Sequence, residues 1–503
     1  MNSRQRLFLT VAVMASTVMQ VLDTTIVNVA LPQMQGELGA TPDQISWVLT
    51  SYLVASAVMM PLTGFFSSWL GRRRFLLVSI AGFVVTSMLC GVAQNLTEIV
   101  LFRVLQGMFG AALVPLAQAI MVDTYPLEER PRAMAIWAMG VMVGPIAGPT
   151  LGGWLTEALD WRWTFFINLP VGILSWLLAS AHVPDTPRQR RRMDWSGFIY
   201  LSAAIAGLQY VLDRGNSEDW FSNRGIVAAA LLGGLGLALF IWHSLRDHGH
   251  ALFSLEIFRD RNFVNASIVI IALGLGMYGA MVLQPVMLES LLHYPASTAG
   301  LVMAPRGLAS MASMMLVSRL MKVMDARLVI AGGVLLSVWG NLLCTQWSLD
   351  VSATQVVLPS LLQGFGRGFI VVPLSTIALA SIPPRLVADA SGLYSLLRTL
   401  GSSVGIALIS TLYSRQTQMN WQTLGAGLQP YNRALHEYAA GVAGSETGPA
   451  QAVQLAAMVM RQAGMVAVIN SFWWITASFL AMLPLVMLLK PLQKSATPVE
   501  VAE

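Results

Sequence analysis

Five ionisable side chains interrupt otherwise apolar stretches of the sequence: Asp23, Arg103, Arg306, Arg367 and Arg398. Placing such a charge near the centre of a bilayer costs roughly 2.5–3.5 kcal/mol, so each marks a candidate functional position. Asp23 can exchange its charge for a proton, and a carboxylate that changes partner and exposure between two conformations changes its hold on that proton. Arginine stays protonated, so Arg103 can only tune a neighbour or hold a substrate. Asp23 and Arg103 therefore form either a proton switch or a static pair that closes a helix bundle. Arg306 follows Pro305, and Arg367 sits in Gly364-Phe365-Gly366-Arg367-Gly368, where small residues allow close helix approach. Gating, packing and substrate contact each account for Arg306, Arg367 and Arg398, and Asn28 and Gln106 join them as cavity or gating candidates.

Other chemistry is missing from the sequence. The six histidines show no metal-ligand spacing, and His248 and His250 fall in a polar loop. No Gly-x-x-x-x-Gly-Lys-Ser/Thr occurs and the chain has only three lysines, which excludes ATP drive within this polypeptide. No nucleophile–base constellation is visible. The expectation is a protein without cofactor or metal and without enzymatic chemistry.

The elements that position these residues follow from composition. The chain has 503 residues, 55% hydrophobic and only 11% charged, with a mean hydropathy of +0.64. A soluble domain carries about 25% charged residues, so a soluble enzyme, a disordered chain and a nucleic-acid binder are all excluded. Cys90 and Cys344 lie inside apolar stretches and cannot form a disulfide framework. With roughly 20 apolar residues needed to cross a bilayer, the pattern predicts fourteen helices. They lie near 8–31, 45–67, 75–93, 98–122, 133–157, 164–182, 197–213, 225–244, 264–290, 296–321, 328–347, 355–380, 389–415 and 463–489. The first run carries Asp23 and Asn28 and continues to Pro32, longer than the apolar region of a signal peptide, and reads as a retained helix.

Basic residues test that count. If the N-terminus is cytoplasmic, inner segments hold 20 Lys and Arg and outer segments hold six, and the remaining four lie inside predicted helices. One miscounted helix would invert every later loop and destroy this asymmetry, so fourteen helices with both termini cytoplasmic are expected. A gapped self-similarity pairs Leu105-Gln106-Gly107 with Leu362-Gln363-Gly364, each followed by a proline, Pro115 and Pro373. It suggests an N-terminal six-helix half over 1–182, a linker with two inserted helices over 183–262, and a C-terminal six-helix half over 263–503 that carries an external loop at 416–462. Six-helix repeats are a transporter architecture with the substrate site between the halves. Within the loop, Tyr431 to Tyr438 reads as an amphipathic helix or a flexible connector.

The fifth helix carries Gly140, Gly144, Pro145, Gly148, Pro149, Gly152 and Gly153. A glycine every fourth residue makes a smooth face for a neighbouring backbone, and the two prolines remove intrahelical bonds and are expected to bend the helix. The 28 methionines and 15 tryptophans suit adaptable apolar walls.

These residues together resemble the major facilitator superfamily, in particular its fourteen-helix drug:proton antiporter branch, over nearly the whole chain. Leu22-Asp23-Thr24-Thr25-Ile26-Val27-Asn28-Val29-Ala30-Leu31-Pro32 is similar to the first-helix motif of that branch, which implies that Asp23 is the coupling carboxylate. Arg103 with Gln106-Gly107 is similar to the fourth-helix motif whose arginine is assigned to proton transfer, and the glycine–proline series looks like the motif that marks exporters. Trp161-Arg162-Trp163-Thr164-Phe165-Phe166-Ile167-Asn168-Leu169-Pro170-Val171-Gly172 is also typical. The loop motif retains Gly64, Gly71, Arg72 and Arg73, but Ser68 stands where the family usually has an acidic residue, which puts a charge-based latch there in doubt. The resemblance implies an all-α fold of two six-helix halves plus two inserted helices in the bacterial cytoplasmic (inner) membrane. The implied activity is proton-coupled export of hydrophobic or amphipathic small molecules, with protons and the lipid bilayer as the other partners. A periplasmic adaptor and an outer-membrane channel would be further partners in a tripartite pump. A proton-coupled metabolite importer and a transporter-fold receptor or scaffold are the rival readings, with a membrane enzyme behind them. The intramembrane arginines favour anionic or amphipathic substrates over small dications.

Overall fold

A computed structural model describes residues 3–188, 192–246, 252, 254–427 and 449–490. Fourteen helical spans among them are long and apolar enough to cross a membrane. They are α1 (Arg4–Glu37), α2 (Trp47–Leu70), α3 (Arg72–Val92), α4 (Leu96–Thr124), α5 (Leu127–Ala158), α6 (Trp163–His182), α7 (Trp195–Arg214), α8 (Arg224–Arg246), α9 (Arg261–Leu291), α10 (Thr298–Leu320), α11 (Ala326–Cys344), α12 (Ala353–Ala380), α13 (Pro384–Ala426) and α14 (Val453–Met487). No strand occurs among the described residues. In hydrocarbon only internally bonded backbone is stable, which is why each apolar run becomes a helix.

Polar residues at the span ends set the starts. Asn95 accepts from the Glu98 amide ahead of α4, Asp260 accepts from the Phe263 amide at α9, and Ser352 with Gln355 forms a capping box at α12. Such caps are worth about 1 kcal/mol each. The closely spaced α9 and α10 are separate helices. Beyond Pro285, which has no amide to donate, the α9 backbone widens into a π turn over Val286–Leu291. His293 with a positive φ and Pro295 then break the chain.

Several helices outrun the hydropathy window because their polar ends continue the same backbone. α13 runs on through Gln416 to Ala426, and the last helix begins at Pro449, so helix occupies both flanks of the segment expected as an external loop. The stretch Tyr431 to Tyr438, like Arg190, Arg191, His248 and His250, lies outside the described residues.

In the packing, α1 lies against α4, α5 and α6, and α5 lies against α1, α10 and α12. α12 sits between α10 and α11, while α9 packs on α13 and α14. α7 and α8 form a hairpin whose glycines let the backbones touch: a Cβ at Gly207 would lie 2.6 Å from the Ala229 carbonyl oxygen. α7 rests on α2 and α13, with the Gln209 amide donating to Ser403 Oγ at 3.0 Å and Thr50 donating to Asp213. α8 touches α7 and leaves Leu231, Leu232, Leu235 and Leu245 exposed, as a lipid-facing helix does.

The end of the bundle that carries Arg72, Arg130 and Arg385 is closed. Arg72 pairs with Asp123 and donates to the Pro384 carbonyl at 2.9 Å, and Arg130 donates to the Ala380 carbonyl at 3.2 Å. Gly64 lies so close to Asp389 of α13 that a Cβ there would fall 1.5 Å from the carboxylate oxygen.

Candidate functional site

Asp23 and Arg103 meet, and both are fully buried. Arg103 Nη1 donates to Asp23 Oδ2 at 2.7 Å. The other carboxylate oxygen accepts from Gln106 Nε2 at 3.0 Å and from Asn168 Nδ2 at 2.8 Å. Three N–H donors thus hold one carboxylate, a charge-assisted arrangement about twice as strong per bond as neutral ones. The shell is also tied down. Asn168 donates to Ser87 Oγ at 2.9 Å, and Ser87 donates to the Phe165 carbonyl. Arg103 keeps acceptors besides Asp23. Its Nη1 also reaches Gln106 Oε1 at 2.7 Å, its Nε donates to the Val48 carbonyl at 3.0 Å, and its guanidinium lies 4.1 Å from the centre of the Tyr52 ring. Tyr52 in turn accepts from Gln20 of α1 at 2.9 Å.

The cluster therefore draws on α1, α2, α3, α4 and α6. Charged groups in hydrocarbon are stable only when paired or wetted, and no part of this one is wet. Asn28, one and a half turns further along α1, is exposed and donates to the Thr24 carbonyl of its own helix at 3.2 Å. It takes no part in the cluster.

The opposite face of α1 meets the glycine series of α5. A Cβ at Gly144 would lie 2.7 Å from the Val21 backbone, one at Gly148 2.2 Å from Thr25 Oγ1, and one at Gly152 2.9 Å from the Ile26 carbonyl. At Gly140 the neighbour is the flexible end of Met14. Gly153 has nothing within 4 Å and lies off this seam, because one residue further on turns the side chain about 100° around the helix. α5 continues as one helix through Pro145 and Pro149. Thr25 Oγ1 donates to the Gly144 carbonyl at 3.0 Å and pins the two helices where the prolines thin the ladder.

Beyond α5 lies a narrow cavity bounded by α5, α9, α10, α12 and α13. Arg367 and Arg398 line it with Trp137, Met277, Tyr278 and Met314. A smaller neighbouring space is lined by Arg306, Arg367, Ser337, Asn341 and Gln363. The three arginines foreseen from the sequence thus share one region, and Gln106 and Asn28 lie outside it. Arg306 donates to Gln284 Oε1 at 2.8 Å, Gln284 donates to Gln363, and Gln363 donates to Asn341 Oδ1 at 2.8 Å. Gln363, which the sequence self-similarity pairs with Gln106, meets amides and the Cys344 thiol here, where Gln106 meets a carboxylate. Arg398 lies 5.4 Å from the Trp137 ring centre.

In the loop motif, Gly71 has φ +84°, which favours glycine. Arg72 makes the contacts with Asp123 and Pro384 described above, and Arg73 donates to the Ser180 carbonyl. Among the described residues Ser68 bonds only back to the Phe65 carbonyl of its own helix. Among the described residues no three His, Cys, Asp or Glu side chains gather as a metal-holding group.

Sequence reasoning missed Asn168, Ser87, Tyr52, Gln284 and Asn341. Asn168 stood inside a quoted motif but carries no charge, and only charged side chains in apolar runs were singled out as candidates.

A family profile described as Major Facilitator Superfamily matches residues 13–406. The chain is 35% identical over 477 residues to the fatty acid resistance protein FarB of Neisseria gonorrhoeae, covering 94% of each chain. It is 32% identical over 501 residues to the multidrug export protein EmrB of Escherichia coli, covering 98% of this chain and 96% of that one. Among solved structures, the human organic anion transporter MFSD10 (TETRAN) shares the fold at a TM-score of 0.62 with 15% identity, covering 95% of this chain and 100% of that one.

Proposed function

The chain belongs to the Major Facilitator Superfamily, and from that membership we infer that it is a proton-coupled secondary exporter of hydrophobic or amphipathic small molecules. It is a multi-pass membrane protein, and we assign it to the bacterial inner membrane with both termini in the cytoplasm. Residues 1–182 and 263–503 are then two halves that rock about the central cavity, with α7 and α8 as an insertion. The export and resistance functions in the names of its relatives support this direction of transport. A periplasmic adaptor and an outer-membrane channel are the partners such an exporter would use to clear the periplasm.

The observation that carries the reading is the three-donor hold on Asp23. Protonating this carboxylate removes its charge and leaves Arg103 with Gln106, Val48 and the face of Tyr52. Removing one partner of a buried ion pair costs about 3–5 kcal/mol. One proton moving down roughly 150 mV supplies about 3.5 kcal/mol, so the two magnitudes match. Loading Asp23 with a proton loosens α1 from α4 and α6, and α1 carries α5 with it across the glycine seam. Since α5 forms one wall of the cavity, a proton at Asp23 changes the substrate space without touching substrate. Arg72, Arg130 and the Gly64–Asp389 contact close the cytoplasmic end in this conformation.

Reconstituted protein tests the reading. Efflux of a fluorescent hydrophobic dye from proteoliposomes under an imposed pH gradient is expected for the wild type and lost in Asp23→Asn. Gradient-driven transport of equal rate in both would place the coupling site elsewhere and refute the role of Asp23.

A further inference from the structure

A proton on Asp23 leaves the buried charge of Arg103 without its counter-ion, and the groups around the guanidinium must then carry it. Two of its nitrogens have oxygen acceptors besides Asp23: Nη1 meets Gln106 Oε1 at 2.7 Å and Nε meets the Val48 carbonyl at 3.0 Å. Nη2 is buried and has no acceptor among the described residues. What the guanidinium has in addition is two aromatic rings. Its central carbon lies 4.1 Å from the centre of the Tyr52 ring and 5.8 Å from that of Phe165, both within the range at which a ring face attracts a cation. Tyr52 is 1% exposed and Phe165 fully buried, and such a contact gains strength when it is desolvated.

The ring face counts for more in one charge state than in the other. Beside an ionised Asp23, the carboxylate 2.7 Å away largely cancels the field of Arg103, and a ring quadrupole gains little from a neutral pair. Beside a protonated Asp23, the same ring meets an uncompensated cation. Ring faces hold buried arginines elsewhere in this chain. Arg398 lies 5.4 Å from the Trp137 ring centre and Arg367 6.0 Å from that of Tyr278, in a space that no aspartate or glutamate lines. Tyr52 is also held from two other helices. Gln20, one turn before Asp23 on α1, donates to its hydroxyl at 2.9 Å. On α4, Gly107 lets the α2 backbone come close, since a Cβ there would fall 2.5 Å from the Tyr52 carbonyl oxygen.

We propose that Tyr52 is a positioning residue for proton coupling: its ring face carries the charge of Arg103 while Asp23 is protonated, and keeps the guanidinium in place to meet the carboxylate again when the proton leaves. This role rests on the reading of Asp23 as the proton site. Tyr52 itself exchanges no proton, and it acts through Arg103.

A fluorination series at position 52 of the full chain tests the assignment. Starting from Tyr52→Phe, one, two and three ring fluorines nearly preserve shape while they progressively weaken the negative face, so a residue that only packs does not respond to them. In equilibrium unfolding, the series is expected to cost about twice as much stability or more in Asp23→Asn, where Arg103 has no counter-ion, as in the chain that keeps Asp23. In proteoliposomes, gradient-driven dye efflux is expected to fall stepwise to about one-tenth at three fluorines. Dye exchange without a gradient, which needs no proton step, is expected to stay within about twofold. Tyr52→Leu is expected to match the trifluorinated ring, and the same series at Phe472, a buried ring facing Trp347, to change neither readout. An equal stability cost in the two backgrounds, or a flat efflux series, would overturn the role of Tyr52. If Tyr52→Leu does not fold, the fluorinated rings decide alone. Wild-type protein without gradient-driven efflux, or efflux retained in Asp23→Asn, refutes the reading of Asp23 instead, and the unfolding comparison then decides whether the ring holds Arg103.

Discussion

Replacing Asp23 by asparagine separates a switch from a static pair, and the geometry fixes what it costs. Every group around the carboxylate is a donor: Arg103 Nη1 faces Oδ2, while Gln106 Nε2 and Asn168 Nδ2 face Oδ1. An asparagine must turn its own amide N–H₂ toward one of these sets, so at least one donor meets a donor in either orientation. Arg103 also loses its counter-ion in a fully buried setting. Asp23→Asn is therefore expected to destabilise the protein by about 3–5 kcal/mol, and Arg103→Gln, which leaves the buried carboxylate with two amide donors, by a similar amount. The double variant places neutral groups opposite one another and is expected to regain about 2–3 kcal/mol relative to the sum of the single losses, the upper range for residues in direct contact. Equilibrium unfolding in detergent measures all four corners of this cycle, and proteoliposome flux follows on the same preparations. A switch predicts that the double variant recovers stability and remains uncoupled from the pH gradient. Recovery of both stability and gradient-driven flux would refute the mechanism and leave a static pair. A cost below about 1 kcal/mol for Asp23→Asn would refute the premise that the pair is ionised and buried.

Three further outcomes are expected. Asn168→Ala removes one of the two donors on Asp23 Oδ1 and is expected to lower gradient-driven flux in proteoliposomes several-fold; unchanged flux with reduced stability would show that Asn168 serves packing only. Gly144→Ala places a methyl group 2.7 Å from the Val21 backbone and is expected to cost about 1–3 kcal/mol and most of the flux, while Gly153→Ala, with open space around it, changes neither in the same unfolding and flux assays. Gly64→Ala drives a methyl group into the Asp389 carboxylate and is expected to prise open the end that carries Arg72. A cysteine introduced at the buried Ser391 would then react faster with a membrane-impermeant thiol reagent, and an unchanged rate would show that this contact does not hold the end shut.

Hydropathy alone revealed the fourteen spans because the bilayer requires a length of apolar helix that nothing else in a chain this size would need. The span ends were less legible. The stretch from Gln416 to Ala426 is polar, yet it continues α13 because it holds no proline and extends an existing helix without a new nucleation step. Asp23, Arg103, Arg306, Arg367 and Arg398 stood out as charges in apolar runs, and they fall in two groups, one around Asp23 and one around Arg367. Which charge is neutralised could not be read from spacing: Arg103 and Arg367 both lie inside apolar runs, but only Arg103 meets a carboxylate. The amides that complete each group, Asn168 at Asp23 and Gln284 at Arg306, were hidden because they carry no charge to single them out and one polar residue in a long apolar window does not change the span. Among the described residues Ser68 makes no cross-helix bond, and the carboxylates that meet this loop motif are Asp123, paired with Arg72, and Asp389, which lies in the first turn of α13 against Gly64.

The backbone contact between α1 and α5 has a consequence for how this protein would look in a saturation-mutagenesis screen. Gly144, Gly148 and Gly152 offer no group that binds, ionises or reacts, yet almost any side chain at these positions would collide with Val21, Thr25 or Ile26. Loss-of-growth scores there would rival those at Asp23, and a map of sensitive positions would draw one continuous hot zone from the carboxylate to the cavity wall. Within that zone tolerance to size, rather than to charge, tells the two kinds of position apart. At Asp23 glutamate is the informative replacement, and along the seam it is alanine against serine. A ranking by severity alone would merge the coupling carboxylate with the bearing surface on which its helix slides.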